Sequence, residues 1–296
     1  MTKRTGHSRS LIVGATGQVG KQIVRIVGMD HCVPTARISH SSEWLALDLA
    51  SIDRETAMSL LESVDLNAIY CVGGMTNVEL CEEERDLAIH TNCYGPKVLA
   101  KVANERNIPF VYFSTEYIFD GVNGPYDEEA AASPISGYGI SKWQGEEAVL
   151  DVCSRALILR TTVVYGPDDA QKNFLYSLRR ALMAGDSFRV PEDQISTPTY
   201  NRDLANATLR LVEAGATGVF NVCGPELLSR LQFAVYAARF WGLDTGLVSG
   251  VPTSGLVQRA PRPLNAGLLI DKLQNIYPEV RMRGLADSLS DWGHVG

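Results

Sequence analysis

The sequence predicts an α/β fold: a doubly wound parallel sheet carrying a smaller, discontinuous α/β substrate-binding lobe. Three observations lead there. Short apolar β-type runs alternate with helical stretches as far as about residue 165, the pattern of a parallel sheet covered on both faces. A glycine-rich turn joins the first strand directly to the first helix. Beyond Gly166 the alternation breaks into shorter pieces with Pro/Thr-rich connections.

Taken in order, Leu11-Ile12-Val13 reads as a strand, and Val19 to Val27, apolar at 19, 23, 24, 26 and 27, as a helix. The unit repeats as strand His31 to Thr35, helix Arg54 to Val64, strand Asn67 to Val72, one long helix Glu84 to Arg106, and strand Pro109 to Ser114. A helix from Tyr138 to Val152 and a strand from Ala156 to Arg160 extend it. The later pieces are a helix at Asn173 to Ala184, a strand at Ser187 to Val190, a helix at Arg202 to Glu213 and a strand at Val219 to Val222. A helix from Leu227 to Trp241, a Pro-rich stretch and a last helix from Leu285 to Trp292 complete the chain. The aromatic spacing Phe233, Tyr236, Phe240 reads as a buried helix face rather than a sugar platform. The expected division is a cofactor domain over 1–165, completed by 200–224, and a substrate lobe from 166–199 and 225–296.

Composition narrows the function. The 296 residues are 45% hydrophobic and 21% charged, enough apolar material for a sizeable core. With 27 Lys and Arg against 34 Asp and Glu, the net charge of −7 has the wrong sign for a nucleic-acid-binding face. No apolar run approaches membrane-spanning length, and the polar start lacks a signal-peptide core, so a cytoplasmic protein with no membrane partner is expected. Six scattered cysteines and five dispersed histidines form no metal-ligand or disulfide spacing, and no metal is expected.

The chemistry-bearing segments come next. Gly14-Ala15-Thr16-Gly17-Gln18-Val19-Gly20 lies between the first strand and helix, where small residues allow backbone approach and free helix-start amides face a pyrophosphate. Dinucleotide binding on a Rossmann-type sheet follows. Arg37, at the end of the second strand with no acid beside it, suits a 2′-phosphate, so NADPH is the preferred cofactor and NAD the alternative. Asp48, followed by Leu49, closes a third strand near the adenine. Tyr138 and Lys142 stand four apart on one helical face, where an ammonium stabilises a phenolate and can reach the nicotinamide ribose. Ser114-Thr115 ends its strand at the carboxyl edge, where a hydroxyl can polarise a substrate carbonyl. Arg259 and Arg262 are candidates for a substrate diphosphate.

With these residues the chain resembles the extended short-chain dehydrogenase/reductases, and within them the dTDP-4-dehydrorhamnose reductases. Ser114 to Gly121 is similar to that family's S-T-D-Y-V-F-D-G, Pro125-Tyr126 with Glu128 to its P-Y-x-E, and Thr76-Asn77-Val78 with Asn92 to its T-x-V stretch and following Asn. Asp193-Gln194 with Thr197-Pro198-Thr199, and Arg262-Pro263, resemble its D-Q-x-G-x-P-T and R-P segments.

The resemblance implies NAD(P)H-dependent reduction of a keto group on a nucleotide-activated deoxysugar. Thr115 would bond the keto oxygen, Tyr138 donate the proton, and Lys142 tune Tyr138 and hold the ribose. It further implies that Gly73, Gly74, Met75 and Thr161 border the cofactor, that Asn92 supports the long helix or approaches the site, and that Thr76, Val78, Glu116, Tyr117 and Val163 face the substrate. A homodimer through helices flanking the active-site face is implied as well. Two departures point to an altered sugar: the family's Asp is Glu116, and its Trp in R-T-S-W-V-Y-G is Val163. Two other readings share the fold. One is an epimerase or 4,6-dehydratase that recycles NAD; the other is a non-catalytic NADP-binding subunit like the methionine adenosyltransferase beta subunit.

Overall fold

The computed structural model describes residues 8–38, 43–62 and 64–293, so His7, His40, His294 and the ends of the expected domains lie outside the described residues. The chain opens as β1 (Arg9–Val13), α1 (Gln18–Val27), β2 (Cys32–Ala36), β3 (Leu45–Ala46), α2 (Arg54–Glu62) and β4 (Leu66–Cys71). It continues through α3 (Val78–Glu83), α4 (Arg85–Ile89), a π-helical turn (His90–Tyr94), α5 (Gly95–Glu105), β5 (Phe110–Thr115), α6 (Gly137–Val152) and β6 (Ala156–Thr161). The single long helix expected from Glu84 to Arg106 is therefore interrupted. An unbroken hydrophobic period does not reveal a π turn, because the extra residue is absorbed by a local change in hydrogen bonding.

The later chain runs β7 (Val164–Tyr165), α7 (Phe174–Met183), β8 (Phe188–Pro191), β9 (Ile195–Ser196), β10 (Thr199–Tyr200), α8 (Asn201–Glu213) and β11 (Gly218–Asn221). It closes with β12 (Leu228–Ser229), α9 (Arg230–Phe240), β13 (Val248–Val251), α10 (Asp271–Ile276) and α11 (Leu285–Trp292).

Among the described residues, seven strands form one sheet in the order β3-β2-β1-β4-β5-β6-β11, and every pairing in it is parallel. The order reverses direction between β1 and β4, the switch point of a doubly wound sheet, where ligands enter at the carboxyl edge. Central strands are covered on both faces. Leu11 and Val13 join one core with Leu99 and Ala103, while Ile12 joins the other with Ile23, Leu204 and Leu211. A third core gathers later segments, including Tyr165, Leu178, Tyr200, Phe233, Leu289 and Trp292. The aromatic stripe of α9 is only partly core: Phe233 is buried but Tyr236 is 41% exposed. Three small two-stranded pairings, β7 with β10, β9 with β12 and β8 with β13, stitch these later segments together. Strands of two to four residues carry too few alternations to be read as periodic.

One buried ion pair fixes α6 to the sheet. Arg160 on β6 donates to both carboxylate oxygens of Glu146 at 2.8–3.1 Å, with the side chains 4% and 0% exposed. The same guanidinium donates to the Glu128 carbonyl at 3.2 Å. Removing one member strands a charge in a medium that solvates it poorly. Glu146→Leu is expected to lower unfolding free energy by about 3–5 kcal/mol, with most of the loss recovered by adding Arg160→Met. The urea midpoints of the two variants check this.

Candidate active site

A cleft of about 1030 Å³ opens along the carboxyl edge at the switch point. Its floor is the glycine turn. Gly14 has φ +81°, and a Cβ there would run into the Gly73 backbone, so the two chain segments meet only because neither position carries a side chain. Val13 holds the pair by accepting from Val72 N at 3.0 Å and Gly73 N at 2.8 Å. Gly17 is the N-cap of α1 and no side chain caps that helix, so its first amides are open toward the cleft.

Thr16, Gly17, Gln18, Val19, Arg37, Asp48, Leu49, Gly73, Gly74, Met75, Thr76, Tyr138, Lys142 and Thr161 all line this cleft with Gly14. Gly20 does not: it lies behind the turn, against the Gly14 carbonyl. Arg37 is exposed at the end of β2, and Asp48 Oδ1 accepts from Ala50 N at 3.0 Å. Lys172 and Asn173 also line it, and no sequence signal had singled them out. Asn173 donates to the Gly166 carbonyl at 2.9 Å, while its buried Oδ1 has no partner.

The position of α6 over the cleft is set by Asn92, wholly buried inside the π turn. Its Oδ1 accepts from Met75 N at 2.8 Å, and its Nδ2 donates to the Met75 carbonyl and to Ser141 Oγ, both at 3.0 Å. Ser141 in turn donates to the Tyr138 carbonyl at 2.8 Å. Tyr112 donates to the Asn92 carbonyl at 2.6 Å, and its ring centroid lies 3.9 Å from Lys142 Nζ.

Tyr138 and Lys142 are both buried, at 9% and 5% exposure. Burial pushes the Tyr138 phenol well above its ordinary value; Glu116 adds to the rise to the extent that it is ionised, and Thr115 opposes it. Burial draws the Lys142 ammonium down to about 8, against the pull of Cys71, Glu146 and Cys81. Thus the free protein holds Tyr138 protonated, rather than lowering its pKa as the Tyr/Lys spacing suggests.

Thr115 ends β5 near Tyr138, but it is Ser114, not Thr115, that lines the large cleft. The Thr115 hydroxyl donates to Glu116 Oε2 at 2.8 Å and accepts from Tyr117 N at 3.2 Å. Glu116, Tyr117 and Val163 line a second, water-sized cavity with Gln194, Ser196 and Arg230. Val163 has φ +41°, an uncommon conformation for a β-branched residue. Arg230 lies over the Phe174 ring, 4.9 Å from its centroid. The capping box of Ser229 and Gln232, readable as S-x-x-Q, marks its place at the start of α9.

Three expected substrate residues stand elsewhere. Val78 opens α3 and packs near Cys81 and Tyr138. Arg259 pairs with Glu83, and Arg262 with Glu79 at 2.6 Å while leaning over the Tyr117 ring. Both guanidinium groups therefore already hold carboxylates. All six cysteines are buried free thiols, and among the described residues no cluster of His, Cys, Asp or Glu could hold a metal ion. No helix among them is long and apolar enough to cross a membrane.

Comparison with known proteins adds relatives. Residues 8–286 match the family model described as the RmlD substrate binding domain. The chain is 32% identical to the probable low-salt glycan biosynthesis reductase Agl14 of Haloferax volcanii, covering 90% of this chain and 91% of the relative. It is 30% identical to a dTDP-4-dehydrorhamnose reductase of Aggregatibacter actinomycetemcomitans, over 91% and 93%. The crystal structure of the Bacillus anthracis dTDP-4-dehydrorhamnose reductase in complex with NADP superposes with a TM-score of 0.87 at 26% identity, covering 96% of this chain and 98% of that one.

The Asn92 network generates a prediction. Asn92→Ala leaves the Met75 amide and the Ser141 hydroxyl without their partner and is expected to cost about 1–3 kcal/mol of stability. Denaturant unfolding measures the loss, and Asn92→Asp, which keeps only the acceptor, is expected to fall between.

Proposed function

The chain belongs to the family of the RmlD substrate binding domain, within the extended short-chain dehydrogenase/reductases, and on that premise we propose that it reduces the keto group of a nucleotide-activated deoxysugar with NADPH. The observation that carries this reading is one shared cleft: the glycine turn, Arg37, Tyr138 and Lys142 all line it, together with Ser114, the neighbour of Thr115 on β5. Its dimensions and chemistry suit a dinucleotide. The bare backbone at Gly14 and Gly73 and the uncapped start of α1 would hold the pyrophosphate, and Arg37 the 2′-phosphate. NAD remains the alternative cofactor. NADPH, when bound, supplies the hydride.

The protein's own part is to orient and to move a proton. Tyr138, kept protonated by burial, donates to the oxygen that becomes the alcohol. Lys142, four residues on, offers positive charge against the phenolate so formed and reaches the ribose. Thr115 bonds the keto oxygen and fixes its direction. Thr76, Tyr117 and Val163 would border the sugar, while Glu116, 6% exposed and bonded to Thr115, would stand behind it. Arg259 would reach a diphosphate by exchanging Glu83, whereas Arg262, bonded to Glu79 through Nη2, keeps a buried Nη1 without a partner.

We assign 1–165 with 200–224 to the cofactor, and 166–199 with 225–296 to the substrate. A cytoplasmic homodimer belongs to the same proposal, and six unpaired thiols suit a reducing compartment. The dehydratase reading would want an acid and a base side by side after Thr115; Glu116 is followed by Tyr117.

Two measurements test this function. Tyr138→Phe is expected to lower kcat on a keto-sugar nucleotide by about 10²- to 10⁴-fold, followed as loss of NADPH absorbance, with NADPH affinity little changed. Turnover equal to the parent would remove Tyr138 as the proton donor. Arg37→Ala is expected to raise KM for NADPH about tenfold or more and to leave KM for NADH unchanged, as initial rates with each cofactor will show.

A further inference from the structure

The hydrogen bonds around Thr115 leave nothing for a substrate while Glu116 is ionised. A threonine hydroxyl has one proton to give and two lone pairs to fill. Here the proton goes to Glu116 Oε2 at 2.8 Å, and Tyr117 N–H occupies one lone pair at 3.2 Å. Thr115 is also near enough to the Tyr138 phenol to oppose the rise of its pKa. A carboxylate cannot return a proton, so in this arrangement Thr115 has no donor for a keto oxygen.

Both Glu116 oxygens face threonine hydroxyls, Oε1 that of Thr162 at 2.7 Å and Oε2 that of Thr115 at 2.8 Å. A hydroxyl accepts as well as donates, so this pair of partners also accommodates a neutral carboxylic acid, with Thr162 donating to the C=O and Thr115 accepting from the O–H.

We infer that Glu116 is a positioning residue that works as the neutral acid: its Oε2–H donates to Thr115, which turns the Thr115 proton toward the carbonyl oxygen of the substrate. This rests on the role of Thr115 proposed above. No proton is exchanged with the substrate by Glu116; the acid only sets which way the Thr115 O–H points.

The surroundings agree. Glu116 is 6% exposed. The groups facing it are Thr162 after β6, its neighbours Thr115 and Tyr117, Tyr138 on α6, Cys223 after β11 and Arg230 on α9. Arg230 is the cation among them and favours the carboxylate, as do the Thr162 and Thr115 hydroxyls, but burial is the larger influence and raises the Glu116 carboxyl from its ordinary value. In Glu116→Gln the amide oxygen can accept from Thr162 and the amide nitrogen donate to Thr115, so this variant holds the acid's hydrogen-bond pattern at every pH.

The test compares parent, Glu116→Gln, Glu116→Ala and Thr115→Val with saturating NADPH and whichever dTDP-4-keto-6-deoxysugar the parent turns over fastest, reading kcat and KM against pH. Glu116→Gln is expected to keep kcat within about twofold and to lose the decline that the parent shows as Glu116 ionises, while Glu116→Ala loses about tenfold or more in kcat with KM little changed. The decline from Lys142 is common to parent and Gln variant. If Glu116→Gln falls as far as Glu116→Ala, or keeps the parent's pH profile, the inference is overturned. If Thr115→Val turns over like the parent, the reading of Thr115 itself is what fails. An infrared difference spectrum of the NADPH-bound parent minus Glu116→Gln at neutral pH needs no turnover. A protonated-carboxyl carbonyl band is expected, and carboxylate bands in its place would overturn the assignment.

Discussion

Everything in the active cleft hangs on how closely α6 can lie against the π turn that precedes α5. Asn92, inside that turn, bonds the backbone after β4 and the side chain of Ser141 on α6 at once. The approach is possible because Gly145 has no Cβ: one there would strike the Asn92 carbonyl and the Tyr112 hydroxyl. With Tyr112 also bonded to Asn92, three elements are tied at one point, and the Glu146–Arg160 pair anchors α6 to β6 further along. The Tyr138 and Lys142 side chains inherit their positions from these contacts. A buried polar junction of this kind constrains geometry more sharply than apolar packing, because each member left unbonded costs about 1–3 kcal/mol.

The same closeness sets the electrostatics. Removing water from around Tyr138, Lys142 and Glu116 disfavours the charged form of each, so the phenol and the carboxyl rise and the ammonium falls. In the reductive direction this is coherent: the site waits with its proton on Tyr138, and a weakened ammonium sits where negative charge will appear. The acidic balance of the whole chain has little bearing here. On the proposed reading, phosphate recognition would be left to a few local groups, the open amides of α1 and Arg37, whose effect does not depend on net charge.

Substrate recognition depends on different contacts. Behind Thr115, the replacement of a large aromatic wall by Val163 in a positive-φ turn comes with Arg230 projecting from the start of α9. The two C-terminal arginines, which from residue type alone suit a diphosphate, are held by Glu79 and Glu83 on α3. These salt bridges bring the Pro-rich stretch against α3 beside the cleft. An arginine is a good anion ligand only to the extent that no nearer carboxylate already uses it.

Much of the fold was legible in order along the chain. Alternating strand and helix periods, the Gly14–Gly20 turn, and the four-residue step from Tyr138 to Lys142 are all local patterns, and the seven-stranded parallel sheet with its cleft at the switch point follows from them through general rules of connection. What remained hidden was decided between distant segments. Periodicity makes Asn92 one more helical residue and the resemblance leaves its role open between supporting the helix and approaching the site; its bonds to Met75 and Ser141 exist only in the folded chain. Arg230 and Thr162 reach Glu116 only once α9 and β6 are packed. The partners of Arg259 and Arg262 lie about 180 residues earlier in the chain. Periodicity and spacing act within a few turns of one element and so can be read from sequence. The protonation state of a buried carboxyl, and the choice of partner for an arginine, are set by what folding places within hydrogen-bonding distance, and that is a property of the tertiary structure alone.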